Sequence, residues 1–269
     1  MHISASLWSS DNPKAEKAQK FGALNAIMYL APAEVAGAGN LCPNASEGCK
    51  AACLAMYSGQ AAMVRNSDDP AALGNVRTAR IAKSRAFMRN RVAFMRAAAL
   101  QLALQYRRAR KAGLELIARP NGGTDIAFEA VSVDVDAKLA ARLSRIIGKD
   151  IAARRYPSLF ELFPFVRFND YTKTPKRMRR FLAGGMPSNY HLTFSRAEDN
   201  ASAVHDVIAA GGNVAVVFDR LPDTWGGARV IDGDTHDLRC TDPRGVVVGL
   251  TPKGRKAKRD KSGFIIRTL

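Results

Sequence analysis

The chain has 269 residues, 47% of them hydrophobic, with 41 Lys and Arg against 24 Asp and Glu for a net charge of +17. That length and apolar content suit one large domain with a sizeable core, and no uninterrupted run of about 18 apolar residues is present to form a membrane span. Residues Met1 to Asp11 lack a charged segment followed by an apolar one, so no secretory leader is expected and a cytoplasmic location is the default.

In chain order, short apolar runs alternate with helical patterns. The first predicted strand is Ala23 to Leu30, and a cysteine-bearing loop, residues 40–57, follows it. A helix is predicted over Pro70 to Met88, with Asp69 as N-cap and Pro70 at the first position. A second spans Asn90 to Ala112, with Val92, Met95, Leu100, Leu104 and Tyr106 as its apolar residues and Gly113 as its stop. Strands follow at Leu114 to Arg119 and Ile126 to Glu129, then a helix at Ala137 to Ile147. Further strands are expected at Phe165 to Asn169, Tyr190 to Phe194, Val214 to Phe218, Arg229 to Ile231 and Val246 to Leu250. Helices at Pro175 to Leu182 and Ala201 to Ala210 separate three of them. A ninth run, Phe264 to Thr268, closes the chain or pairs at an edge.

Continuous apolar strands alternating with helices predict an α/β fold with parallel pairing and both sheet faces covered. About eight strands in this length suit a TIM-barrel-like (β/α)8 domain occupying residues 1–269. A doubly wound open sheet is the alternative, disfavoured because no glycine-rich nucleotide fingerprint follows the first strand.

Four cysteines are too few for a disulfide scaffold, and three of them, Cys42, Cys49 and Cys53, fall within twelve residues. Their spacing is C-x6-C-x3-C. Ser46 can cap a helix from about Glu47 to Met56, which would put Cys49 and Cys53 on one face, with Cys42 reaching them from the loop. Short-spaced thiolates of this kind hold iron–sulfur clusters, and three suit a [3Fe–4S] cluster or a [4Fe–4S] cluster with one iron bound elsewhere. Zinc is a weaker match, since a second cysteine knuckle is missing and the four histidines show no ligand spacing. Unmetallated buried thiols are the remaining alternative. Cys240, in a late loop, is expected to stay outside the site.

Polar residues gather at the ends of the predicted strands: Arg119, Asn121 and Asp125; Tyr171 and Lys173; Ser195; Asp219; Asp232 and Asp234; and Lys253. On a barrel they would converge beside the cysteine loop and form a pocket. Positive charge is dense from Arg77 to Lys111, from Lys173 to Arg180 and in a basic loop at 253–261. It favours an acidic redox partner, or nucleic acid bound without sequence preference, because aromatic residues are not interleaved with the basic ones.

The pieces Cys42-Pro43 to Cys53, Arg119 to Asp125, Asp170 to Lys173, His191 to Ser195 and Asp232 to Gly254 resemble a family of phage- and prophage-encoded proteins. The resemblance covers most of the chain from about residue 22 onward. It implies a barrel-like fold with an iron–sulfur cluster on the first loop, and no established reaction. The loop position is also similar to that in radical S-adenosylmethionine enzymes, although those usually space their cysteines C-x3-C-x2-C. The function expected from all this is a phage-associated, ferredoxin-like electron carrier. A cluster-dependent enzyme, or a nucleic-acid or phage-machinery binding protein with a structural cluster, is the alternative.

Overall fold

The computed structural model describes residues 6–11, 13–58, 61 and 74–268. Its centre is a large, mostly parallel sheet. The strands are β1 (Trp8–Ser9), β2 (Ala23–Met28), β3 (Glu115–Arg119), β6 (Arg167–Thr172), β7 (Tyr190–Ser195), β8 (Val214–Phe218), β9 (Thr224–Trp225), β10 (Ala228–Asp232), β11 (Val247–Leu250) and β12 (Ile265–Ile266). Two more, β4 (Val133–Val135) and β5 (Arg154–Tyr156), form a separate antiparallel ribbon. Spatial order in the large sheet is β1-β2-β3-β6-β7-β8-β11-β10-β9.

The expected α/β class therefore stands, whereas the barrel does not. A barrel needs its first and last strands to pair, but the free edge of β2 is taken by β1 running antiparallel, and the far edge ends at β9. The sheet is open. Its parallel run from β2 to β8 follows chain order, after which β11 inserts between β8 and the earlier β10. β12 pairs with β8 at Val217 and Phe218, while β7 pairs with β8 at Val214 and Ala215. The sheet thus forks past Ser195, and the last strand fills the fork.

Among the described residues ten α-helices are present, α1 (Pro13–Gln19), α2 (Glu47–Ala51), α3 (Leu54–Tyr57), α4 (Asn75–Arg89), α5 (Arg91–Lys111), α6 (Ala137–Ile147), α7 (Leu159–Leu162), α8 (Pro175–Leu182), α9 (Ala201–Ala209) and α10 (Gly254–Lys258), and several of them show why the sequence folds as it does. Helix α5 (Arg91–Lys111) starts where Asn90 accepts the Ala93 N–H at 2.9 Å, and ends before Gly113, which has a φ of 68°. Phe94, Ala98 and Leu102, together with Met95, Ala99 and Ala103, form a buried stripe at i, i+4, i+8 spacing that packs into the main core. Val92 and Leu104, expected on that face, are 51% and 38% exposed. Helix α6 (Ala137–Ile147) is capped by Asp136, and helix α8 (Pro175–Leu182) carries Pro at its first position. Helix α4 (Asn75–Arg89) begins after Gly74, and the expected start at Asp69 and Pro70 lies outside the described residues.

Strand alternation divides the sheet into an apolar and a polar face. Leu24, Ala26 and Met28 of β2, Leu116 and Ala118 of β3, Phe168 of β6, Leu192 and Phe194 of β7, and Val214 and Val216 of β8 join the main core. The alternate positions carry Asn25, Arg119, Asn169, Tyr171, His191, Thr193 and Ser195. Onto this second face packs a 3-10 turn, Arg239–Thr241, whose Arg239 is fully buried and paired with Asp242 at 3.3 Å.

Candidate ligand-binding site

At the carboxyl ends of the parallel strands lies a cavity of about 480 Å³. Crevices outside the strand C-termini are where open parallel sheets bind ligands, and the volume is that of a small-molecule site. Of the strand-end residues expected to converge, Arg119, Asn121, Asp125, Tyr171, Lys173, Ser195, Asp234 and Lys253 all line it. Asp219 and Asp232 do not. Asp219 accepts from the Thr268 N–H and hydroxyl at 2.9 Å and so holds Thr268 beside the end of β8. Asp232 accepts the Asp234 N–H at 2.8 Å in a local turn.

Most of the acidic lining is committed to building the walls. Asp125 accepts from Thr172 and Thr174 hydroxyls at 3.2 Å, from the Lys173 N–H at 2.9 Å, and from Arg177. It thereby holds the turn after β6. Asn121 is fixed by Asp170, and its own carbonyl accepts from Ile126 N–H and Thr124 hydroxyl, both at 2.8 Å. Arg119 pairs with Asp237 at 2.6 Å and lies 4.6 Å from the centre of the Tyr171 ring. Burial opposes the Arg119 charge most strongly, but Asp237 together with Tyr171, Asp170 and Tyr29 outweighs it and holds the pKa above the ordinary value. Lys253 is paired with Asp234 at 2.7 Å.

Lys173 differs from these. Its Nζ donates to the Ser195 hydroxyl at 2.8 Å and lies 5.5 Å from the centre of the Phe264 ring. Among the described residues it has no ion-pair partner. β6 delivers it and β7 delivers Ser195, adjacent strands whose register pairs Tyr171 with Thr193 two residues earlier. Much of the remaining wall is apolar, from Pro32, Leu54, Met56, Pro252 and Phe264, with Glu34, Lys50 and Thr251 among its polar members. Sequence reasoning missed these walls because it collected polar strand ends. Phe264 alone carried a signal, as the start of the ninth apolar run.

The three clustered cysteines also line the cavity, all half-buried and free of disulfides. Ser46 caps the helix as expected, accepting the Cys49 N–H at 3.2 Å. The helix itself breaks. It divides into α2 (Glu47–Ala51) and α3 (Leu54–Tyr57), with Cys53 between them as the N-cap of α3. Cys49 and Cys53 therefore do not share one continuous helical face. Cys42 turns its thiol toward the Gly123 carbonyl at 3.7 Å. Burial pushes the Cys42 thiol up to about 12 and also raises Cys53.

Among the described residues, no three His, Cys, Asp or Glu side chains are grouped so as to hold a metal ion. This overturns the expected function as an iron–sulfur electron carrier, along with its cluster-dependent alternatives. Cys240 stands apart from the cavity, packed with Ala18, Ala23, Ile117 and Leu238 on the polar face of the sheet.

The loops around the cavity are locked by close approaches. A Cβ at Gly122 would come within 2.8 Å of the Met28 carbonyl, so only glycine lets the loop after β3 run against the end of β2. Glu198, beyond β7, accepts the Ser46 hydroxyl at 2.8 Å and the Gly48 N–H at 2.7 Å, pinning the cysteine loop across the sheet. Glu198 gave no sequence signal.

Fold and cavity together define a mixed α/β protein with a pocket at the carboxyl edge of an open, mostly parallel sheet. The chain belongs to the Gene product 88 family, whose model matches residues 6–268. That assignment agrees with the phage type expected from the sequence. No curated protein and no solved structure matches the chain. Among the described residues, no helix is long and apolar enough to cross a membrane.

Proposed function

We propose that this protein binds a small anionic molecule with an apolar body in the cavity at the strand ends. One observation carries the reading: the Lys173 ammonium, set on Ser195 and lacking an ion-pair partner among the described residues, faces a largely apolar chamber. An anionic ligand beside that ammonium gains a charge-assisted contact, and the apolar walls favour burying the ligand's body. Arg119 and Lys253 already have their counter-charges, so the anion's contact falls to Lys173 and Ser195.

The test is isothermal titration against inorganic phosphate, nucleoside monophosphates and aromatic carboxylates. At least one anion with an apolar body should bind, and Lys173→Met should weaken it by roughly 10- to 100-fold, the range for a lost charge-assisted hydrogen bond. Ser195→Ala should weaken it less. Binding that is indifferent to both substitutions, or no binding by any of these anions, would rule the reading out. The expected polyanion contact belongs to the same reading, because the basic run at 253–261 borders the cavity rather than lying elsewhere on the surface.

A further inference from the structure

The wall formed by residues 252–265 has two sides. Lys253, Ala257, Phe264 and Ile265 line the cavity. The expected basic loop is in part a short helix, α10 (Gly254–Lys258), with Ala257 buried while Arg255, Lys256, Lys258, Arg259 and Lys261 are exposed. In residues 253–267 seven cations, counting Lys253 and Arg267, face a single acid, Asp260. An outward cationic ridge and an inward apolar chamber are thus opposite sides of one five-residue helix and its flanks.

We infer that the cavity and this ridge are one site for single-stranded nucleic acid, in which one nucleotide enters the cavity while the phosphates beside it run along α10. The inference rests on the proposed anion-binding role of the cavity and names its ligand class. Charge complementarity selects a polyanion, since closely spaced phosphates match closely spaced Lys and Arg. The chamber selects a single strand: a base can reach walls such as Leu54, Met56 and Pro252 only when it is unpaired and out of the stack. Lys173 and Ser195 then meet the phosphate of the inserted nucleotide. Nothing in this arrangement reads a sequence.

The experiment compares a nucleoside 5′-monophosphate with a labelled single strand of roughly 12 nucleotides, a length within the usual span of such sites. The strand should bind at least about tenfold more tightly at low salt, and engagement of about three phosphates should cost about 20-fold in affinity between 50 and 200 mM salt. The charge reversal Arg255→Glu, Lys258→Glu, Arg259→Glu should cancel the strand's advantage and leave monophosphate binding unchanged. Lys173→Met, checked for folding by circular dichroism and accompanied by Ser195→Ala, should weaken both ligands. Strand binding no tighter than monophosphate, equal binding of a blunt duplex, or strand binding unaffected at Lys173 would each overturn the inference. If the monophosphate or another small anion still needs Lys173 in those cases, the cavity reading survives alone. If no small anion binds, both fall together.

Discussion

Asn121 meets Asp170 twice: its main-chain N–H and its side-chain amide donate to the two carboxylate oxygens, at 2.8 and 2.9 Å. Tyr190 adds its hydroxyl at 2.9 Å, and Asp170 is fully buried. The loop that forms one wall of the cavity is therefore fastened to β6 through a carboxylate shielded from water. Burial raises the Asp170 pKa to about 6, against which Arg119 and the Asn121 donors work. Asp170→Ala removes the acceptor from three donors at once. The expected loss is about 3 kcal/mol of unfolding free energy in urea titrations, with Asp170→Asn costing less because one carbonyl oxygen remains. Equal stability of the alanine variant and wild type would show that the wall does not depend on this contact.

The thiols give a second prediction. With Cys42 pushed up to about 12 and Cys53 also raised, chiefly by burial, neither carries much thiolate near neutral pH. Alkylation by iodoacetamide in the native protein should then be slower than at an exposed cysteine, on the order of 100-fold or more at Cys42, and slowed at Cys53 as well. Mass spectrometry of time points reads this site by site. Glu198→Ala releases Ser46 and Gly48, so labelling in the cysteine loop should accelerate while global stability falls by only about 1 kcal/mol. Fast native labelling of Cys42 in the wild type would contradict the burial argument.

Local signals made the elements legible and left their assembly hidden. Ala137–Ile147 and Pro175–Leu182 fall where their helical patterns predict, and in the structure Asp136 caps the first and Pro175 opens the second, signals that act within one turn. Strand β8 likewise falls where its apolar run predicts. The run Ile126 to Glu129 instead enters a 3-10 turn at Phe128–Ala130, since Asn121 occupies both main-chain polar groups of Ile126 and leaves none for a ladder. Strands β4 and β5 were missed because they are three residues long and β5 opens with two arginines. Barrel and open sheet share one local pattern and differ only in which distant edges meet. The cysteine helix breaks after Ala52 without a Pro or Gly to announce it. The strand-end residues were legible as a group because parallel strands send their C-terminal ends to one side, whatever the closure of the sheet.

His191 supplies the last prediction, a pH dependence with a definite sign. The residue sits on β7 on the polar face of the sheet, with its ring edge-on to Phe181 at 5.3 Å between centres. Arg167, Arg239 and Arg244 are the charged groups around it, and Cys240 and Asp242 lie on the turn packed over β7. Burial first, and then the three arginines, lower its pKa to about 4 from an ordinary value of 6.5. The folded protein keeps the imidazole neutral while the unfolded chain takes up a proton below about pH 6.5. The unfolded state therefore binds more protons between pH 6.5 and pH 4, and stability falls as pH is lowered through that window. Above pH 6.5 both states hold a neutral ring and the contribution is flat. Asp170 and Asp242, each raised to about 6 mainly by burial, have the opposite slope between about pH 4 and 6, so the total curve mixes signs. The difference between wild type and His191→Gln isolates the ring. Relative to the variant, the wild type should lose on the order of 2 kcal/mol from pH 7 to pH 4.5 in denaturant titrations. A difference that stays constant over that range would mean that the ring titrates alike in the folded and unfolded states, so that neither burial nor the three arginines act on it.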